Sequence, residues 1–238
     1  MIIHKILALL SVATLAEGQL TLAPDRRQLS IVVKGDDGSV VGDARVLLRS
    51  TTPPGARQRL PKQESWRATT SAEGAATFNF LPPGPLTVCV SGRSPWLNPC
   101  DWGSERPSVS VSGAAKEVTA NIILKRGAPI IIEVEDSGGL ISQYQGKTPG
   151  AHLLLGVRND AGMFTTASLV SDSSRIHLYS IVIPFDTRVN LVVASPFFRL
   201  TDSSGAEFAA TGATSVPLFV QSGRAPAAIR IGISGRKS

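Results

Sequence analysis

The stretch QLSIVVKGDDGSVVGDARVLLRS, residues 28–50, decides the fold. Ser30, Val32 and Lys34 alternate with Ile31 and Val33, the two-residue period of a strand with one buried face. Asp36-Asp37-Gly38 then reads as a tight hairpin turn joining two strands, since Asp and Gly tolerate positive φ. Outward from this stretch the same grammar continues. Short runs of Val, Ile, Leu, Thr and Phe stand between Gly, Pro, Asp and Ser clusters, and helical periodicity is almost absent. In the first half, strands are expected over residues 28–34, 43–50, 75–81, 86–91, 108–112 and 117–125. In the second half they are expected over 130–135, 152–157, 163–170, 175–183, 188–194, 216–220 and 228–233. The fold class is therefore all-β, with two β-sandwich domains.

Two interruptions set the organisation. Residues 51–63 carry Pro53, Pro54, Gly55 and Pro61 among basic residues and read as a long excursion at one end of the first sandwich. Lys125-Arg126-Gly127-Ala128-Pro129 marks the domain boundary, because proline opens a strand but does not sit at its centre. The division is a first sandwich over 19–126 and a second, immunoglobulin-like or similar, over 127–238. Residues 1–18 precede both. Lys5, the apolar run over 6–15 and Ala16-Glu17-Gly18 form a signal peptide pattern with cleavage before Gln19. The run is too short to span a bilayer, and no later segment is long and apolar enough, so no transmembrane segment is expected in the mature chain. The expected localisation is secreted or periplasmic, in the cell envelope. The two halves do not read as copies of each other.

Composition narrows the function. The only cysteines, Cys89 and Cys100, flank a loop rich in turn formers; an even count in an exported chain reads as one disulfide. No thiolate zinc site can be built from them. The net charge of +6, from 24 Lys/Arg against 18 Asp/Glu, is too small and too scattered for a nucleic-acid binder. The densest basic stretch, Arg57, Arg59, Lys62 and Arg67 with Glu64 opposing, reads as a solvated loop.

Several motifs invite chemistry. Asp136-Ser137-Gly138-Gly139 looks like the nucleophile loop of chymotrypsin-like proteases, yet no His precedes Ser137 in the mature chain; a hairpin turn is the reading. His152 and His177 are the only mature histidines, each in an apolar strand pattern without a ligand-spaced partner, and both read as structural or exposed strand residues. Asp36, Asp37 and Asp43 have turn spacing, and a calcium site needs six or more oxygens. Catalytic residues, metal ligands and cofactors are therefore expected to be none.

The first half resembles the carboxypeptidase regulatory-like family, a transthyretin-like sandwich grouped with carbohydrate-binding-like folds. Three blocks carry the resemblance: residues 29–46, Thr69-Thr70-Ser71-Ala72-Glu73-Gly74 with Phe78-Asn79-Phe80-Leu81-Pro82-Pro83-Gly84, and Val118-Thr119-Ala120-Asn121-Ile122-Ile123-Leu124. Ser71 stands where the family has Asp, and Pro85-Leu86 replaces a residue followed by Tyr. The Cys89 to Cys100 loop, with Trp96 and Trp102, resembles a variant in exported acidobacterial proteins. Members of the family are mostly accessory modules, which implies a non-catalytic role and leaves the partner open. Lys34 and Asn121 also match the first-strand and last-strand placement of Lys–Asn isopeptide adhesins, but the acid such a bond requires is missing from residues 78–81; an exposed strand-end Lys is the reading.

Trp66, Trp96 and Trp102 are the candidate ligand-binding residues, because a pyranose stacks its apolar face on a flat ring. Trp96 and Trp102 also suit a packing role against the disulfide, and both readings stay open here. The expected function is an exported, non-catalytic binding or interaction module whose partner is a glycan or an envelope protein. The alternative is a structural spacer or subunit of an envelope assembly without a small ligand. Nucleic acid is not an expected partner.

Overall fold

The computed structural model describes residues 27–50, 64–103, 106–112, 116–208 and 214–237. The expected signal peptide and the whole excursion over 51–63 therefore lie outside the described residues. The first half runs β1 (Gln28–Gly35), β2 (Arg45–Ser50), β3 (Ser65–Thr69), β4 (Ala75–Asn79), β5 (Gly84–Ser91), α1 (Pro99–Trp102), β6 (Ser108–Val111) and β7 (Glu117–Leu124). The second runs β8 (Ala128–Glu135), α2 (Leu140–Tyr144), β9 (Leu154–Arg158), β10 (Phe164–Thr166), β11 (Ser168–Asp172), β12 (Ile176–Ile183), β13 (Arg188–Ala194), β14 (Phe198–Thr201), β15 (Thr214–Phe219) and β16 (Ile229–Arg236). Among the described residues no helix is long and apolar enough to cross a membrane.

Each half is two sheets laid face to face. In the first, the sheet β4-β1-β7 covers β3-β2-β5-β6. The alternation in residues 28–34 has the expected consequence: Leu29, Ile31 and Val33 are fully buried and meet Val46, Leu48, Val88 and Val90 in one core. In the second, β10-β9-β13-β15 faces β11-β12-β8-β16-β14. There Ile130, Ile132 and Val134 of β8 pack with Leu155, Val157, Leu191 and Val193. Each such side chain stabilises its core by about 1.5–3 kcal/mol. Both halves also place the opening strand parallel to the closing one, β1 beside β7 and β8 beside β16. No sequence similarity announces this shared device.

Several expectations need correction. Asp36-Asp37-Gly38 makes a tight turn, with Gly38 at φ 80°, but it does not join paired strands: β1 and β2 belong to opposite sheets, and only Lys34 and Val40 bridge across it. The chain uses the turn to cross the sandwich. The run at 163–170 is two strands, because Ala167 bonds back to Leu155 and the chain passes from one sheet to the other. Strands β3 and β14 and the short helices α1 and α2 were not expected. His152 lies before its strand and is exposed.

Ser71 and the Pro85-Leu86 pair are each accommodated locally. Ser71 braces its turn itself: its Oγ accepts from Ala75 N at 3.4 Å, and its hydroxyl bond to Glu73 is the largest influence holding that carboxyl below its ordinary range. Gly74 sits there at φ 73°, and a Cβ would come within 2.7 Å of Val33 O, so no other residue fits. Leu86 is buried and fills the strand position after the exposed Pro85.

Candidate functional site

Cys89, Trp96, Cys100 and Trp102 gather at the loop between β5 and α1 and its two flanks; Trp66 does not. Cys89 on β5 is bonded to Cys100 on α1, with their Cα atoms 5.4 Å apart. Asn98 caps the helix: its Oδ1 accepts from Cys100 N at 3.0 Å, and its Nδ2 donates to Asp101 Oδ2 and Ser91 Oγ at 3.2 and 3.3 Å. Burial pushes the Asp101 carboxyl up, opposed by its bond to Asn98 and by the charge of Arg106.

This loop grips the segment that joins the two halves. Leu97 N donates to Lys125 O and Gly127 N donates to Pro95 O, each at 2.9 Å, so that Trp96 and Arg126 bridge as an antiparallel pair. Leu97 is itself buried. Gly127 is squeezed: a Cβ there would lie 2.5 Å from Ile183 O and 2.8 Å from a Leu97 methyl. Only glycine lets the joining segment pass between β12 and the loop.

The tryptophans divide between the halves. Trp96 packs against the first core, pressed so closely on β1 that a Cβ at Gly35 would fall 2.1 Å from its ring. The Arg126 guanidinium lies 5.2 Å from the Trp96 ring centroid and pairs with Asp37. Trp102, two residues past the disulfide, packs against the second core. Trp66 sits on β3, at the far edge of its sheet, and packs on the first core. The structure thus brings Trp96 and Trp102 together and leaves Trp66 apart. Trp96 is half-buried: it packs on Gly35 of β1, lies beside Arg126, and also lines the cleft between the halves.

Beside the loop is a cleft of about 530 Å³ between the halves. One wall carries Ser91, Arg93, Asn98, Asp101 and Trp102, and the other carries Thr165, Thr166, Ser168 and Ser180. Trp96, Val170, Ile181 and Val182 also line it, so apolar surface predominates, and hydroxyls, one acid, one amide and one base supply the polar part. The acidic turn residues are already committed. Asp36 accepts from Arg126 N, Asp37 from Ser39 and Arg126, and Asp43 faces Arg93 at 3.7 Å. Lys34 and Asn121 are both exposed, on the outer face of their sheet and two register positions apart.

One constellation was not foreseen. Asp136 is fully buried, and its oxygens accept from Leu140 N and Ile141 N at 2.9 and 2.7 Å, capping α2. His177 is also buried, with Nε2 3.8 Å from Asp136 and Nδ1 bonded to Asp172. The protease-like motif is therefore a helix-entry turn and not a hairpin. An Asp–His pair exists, but Nε2 has no hydrogen-bond partner and Ser137 is exposed. Among the described residues no hydroxyl bonds to His177 Nε2, so the pair is not part of a Ser–His–Asp triad.

No protein-family model matches the chain, and no curated protein matches it. Among solved structures, a streptococcal ancillary pilin is similar at TM-score 0.42 and 9% identity, over 87% of this chain and 62% of that one. The minor pilin of Streptococcus agalactiae gives 0.35 and 13%, over 89% and 97%. The Bacillus anthracis TIE protein gives 0.33 and 10%, over 87% and 34%. The chain spans about a third of the TIE protein and under two thirds of the ancillary pilin. Likeness at this level carries no functional argument.

Proposed function

We propose that this chain is a non-catalytic structural subunit of the cell envelope, a pair of sandwiches held at a fixed angle and meeting other envelope proteins through its surfaces. The observation that carries the reading is the clasp: a disulfide-closed loop of the first half hydrogen-bonds both sides of the joining segment and sets Trp102 on the second core. A fixed joint suits a spacer that must hold its two ends in one orientation. The disulfide and the leader pattern support export, and the carboxypeptidase regulatory-like blocks support an accessory role for residues 19–126. Small-angle scattering tests it. One interdomain orientation is expected in the oxidised protein, and a broad distribution of orientations would refute the reading.

The cleft, with Trp96 and Trp102 among its apolar lining and hydroxyls beside them, favours one second reading, a neutral oligosaccharide seated between the halves. Titration calorimetry with chitotetraose and cellotetraose checks it. Binding that is lost in Ser180→Leu, which fills the cleft from β12, supports this reading; heat from neither sugar removes it.

A further inference from the structure

We infer that the outer face of the sheet β3-β2-β5-β6 binds an acidic polysaccharide, whose uronate carboxylates are held by Arg45, Arg49 and Arg67. Strand alternation gathers these side chains. On β2, Val46 and Leu48 enter the first core, so Arg45, Leu47 and Arg49 point outward. On β3, Trp66 and Ala68 pack on the same core, and Arg67 points outward from between them. Arg67 is paired with Leu47, which sets it midway along the strand direction between Arg45 and Arg49. Two residues of strand advance about 6.6 Å, and neighbouring strands lie about 4.8 Å apart. Successive arginines of the zigzag are therefore about 8 Å apart at the backbone, close enough to hold successive acidic groups of one polymer.

The charge on this face is uncompensated. The four strands contain no Asp or Glu at all. Elsewhere arginines are occupied: Arg93 faces Asp43, Arg126 pairs with Asp37, and Arg230 lies 3.8 Å from Glu133. Arg45, Arg49 and Arg67 are exposed, and among the described residues they have no hydrogen bond or ion pair. Glu64, just before β3, offsets at most one of the three charges. The stretch joining β2 to β3, residues 51–63, contains no acid and supplies no counter-charge.

The chemistry of the face narrows the class of anion. Arg45 and Arg67 share a hollow of about 380 Å³, which Leu47, Thr69 and Ser91 also line. A uronic sugar presents the matching groups on one ring: a carboxylate, hydroxyls and an apolar ring face. A guanidinium grips a carboxylate through two parallel hydrogen bonds. A single-stranded nucleic acid would call for aromatic rings beside the cations, and the one ring on these four strands, Trp66, turns into the core. A lipid surface would call for projecting apolar side chains, and Leu47 is half-buried between its arginine neighbours.

The inference is independent of the spacer reading, since a chain that ignored polysaccharide would keep its rigid joint. Calorimetric titration of the disulfide-bonded chain with polygalacturonate, in calcium-free buffer, tests it. Binding is expected at low ionic strength, weakening as salt is raised, and none is expected with neutral dextran. A basic residue at an anionic surface is worth about fivefold in affinity. Arg67→Gln alone should therefore weaken binding about fivefold, and Arg45→Gln, Arg49→Gln and Arg67→Gln together about a hundredfold, with the melting temperature unchanged. Arg188→Gln, Arg199→Gln and Arg224→Gln together remove the same charge from exposed positions of the second half and should bind as the native chain does. No binding of polygalacturonate overturns the inference, as does an equal loss in the two triple variants. Tighter binding of DNA or of phosphatidylglycerol vesicles at the same salt would assign the face to those partners and overturn it too.

Discussion

Replacing Gly127 by alanine puts the joint to a quantitative test. The new methyl carbon would lie 2.5 Å from Ile183 O, 2.7 Å from Val182 Cγ1 and 2.8 Å from Leu97 Cδ2. Ordinary contact begins near 3.4 Å, so the joining segment and the β12 carbonyl must separate by about 0.9 Å. Neither is free to yield. Ile183 is paired with Ala128 in the β8–β12 ladder, and Gly127 N is held by Pro95 O from the opposite side. Overpacking of this size costs about 1–3 kcal/mol. At about 2 kcal/mol the melting temperature should fall by roughly 4–8 °C for a chain of this length. Gly138→Ala is the matched control, because a Cβ there meets only the Leu140 side chain, no nearer than 3.5 Å. The specific readout is trypsin. Lys125 and Arg126 are exposed side chains on a backbone pinned by two hydrogen bonds, so the native joint should resist cleavage and the variant should be cut several-fold faster. Equal melting temperatures and equal cleavage rates for Gly127→Ala and the native chain would refute the account of the joint.

The remaining predictions follow from other contacts. Asp136→Ala removes a buried carboxylate that accepts two helix N–H groups and should lower stability by about 3 kcal/mol, with Asp136→Asn losing about half as much; chemical denaturation measures both. Paired Cys89→Ser and Cys100→Ser changes should lower stability by about 3 kcal/mol and shift the fluorescence of Trp96 and Trp102 towards that of wet indole. Asp37 is held below the ordinary carboxyl range, first by the Ser39 hydroxyl and amide and then by Arg126. A lowered folded-state pKa gives a contribution that is complete above the ordinary Asp value and is lost as pH falls through the lowered one. Acid unfolding of the native chain and Asp37→Asn should therefore converge below about pH 4. Curves that stay equally separated at all pH values would contradict the assignment.

Legibility in the sequence followed the range of the interaction. Where burial alternates along one strand, residues 28–34 reveal it directly, and β1 forms there. β3 reads SWRAT, with no residue fully buried, so no apolar period marks it. β14 follows Ser195-Pro196 at once, where turn chemistry hides the strand, and Ser195 Oγ accepts from Phe198 N to begin it. Helix α2 has five residues and depends on Asp136, whose capping role resembles any other Asp–Gly turn until Leu140 N and Ile141 N are in place. The disulfide was legible because both cysteines lie within one short loop. The roles of the tryptophans were not. Two of the groups beside Trp96, Gly35 and Arg126, are remote in sequence and carry no aromatic signature. Asp136 and His177, forty-one positions apart, meet only because β8 and β12 are neighbours.

The clasp also explains why so much of the chemistry sits in one loop. A three-residue connection, Lys125 to Gly127, leaves several backbone dihedrals to fix, and ordering each residue costs about 1–2 kcal/mol. Two hydrogen bonds contribute about 0.5–1.5 kcal/mol each and cannot do this alone. The exposed Arg126–Asp37 pair adds little, because solvent screens it. The balance comes from burying Leu97 and from the disulfide, which restricts the loop before the second half docks. Rigidity at the joint is thus supplied by the first half, and the second half contributes a surface for Trp102. Loss of the disulfide should therefore free the angle between the halves while leaving both cores folded, since neither cysteine belongs to the buried cluster of either core.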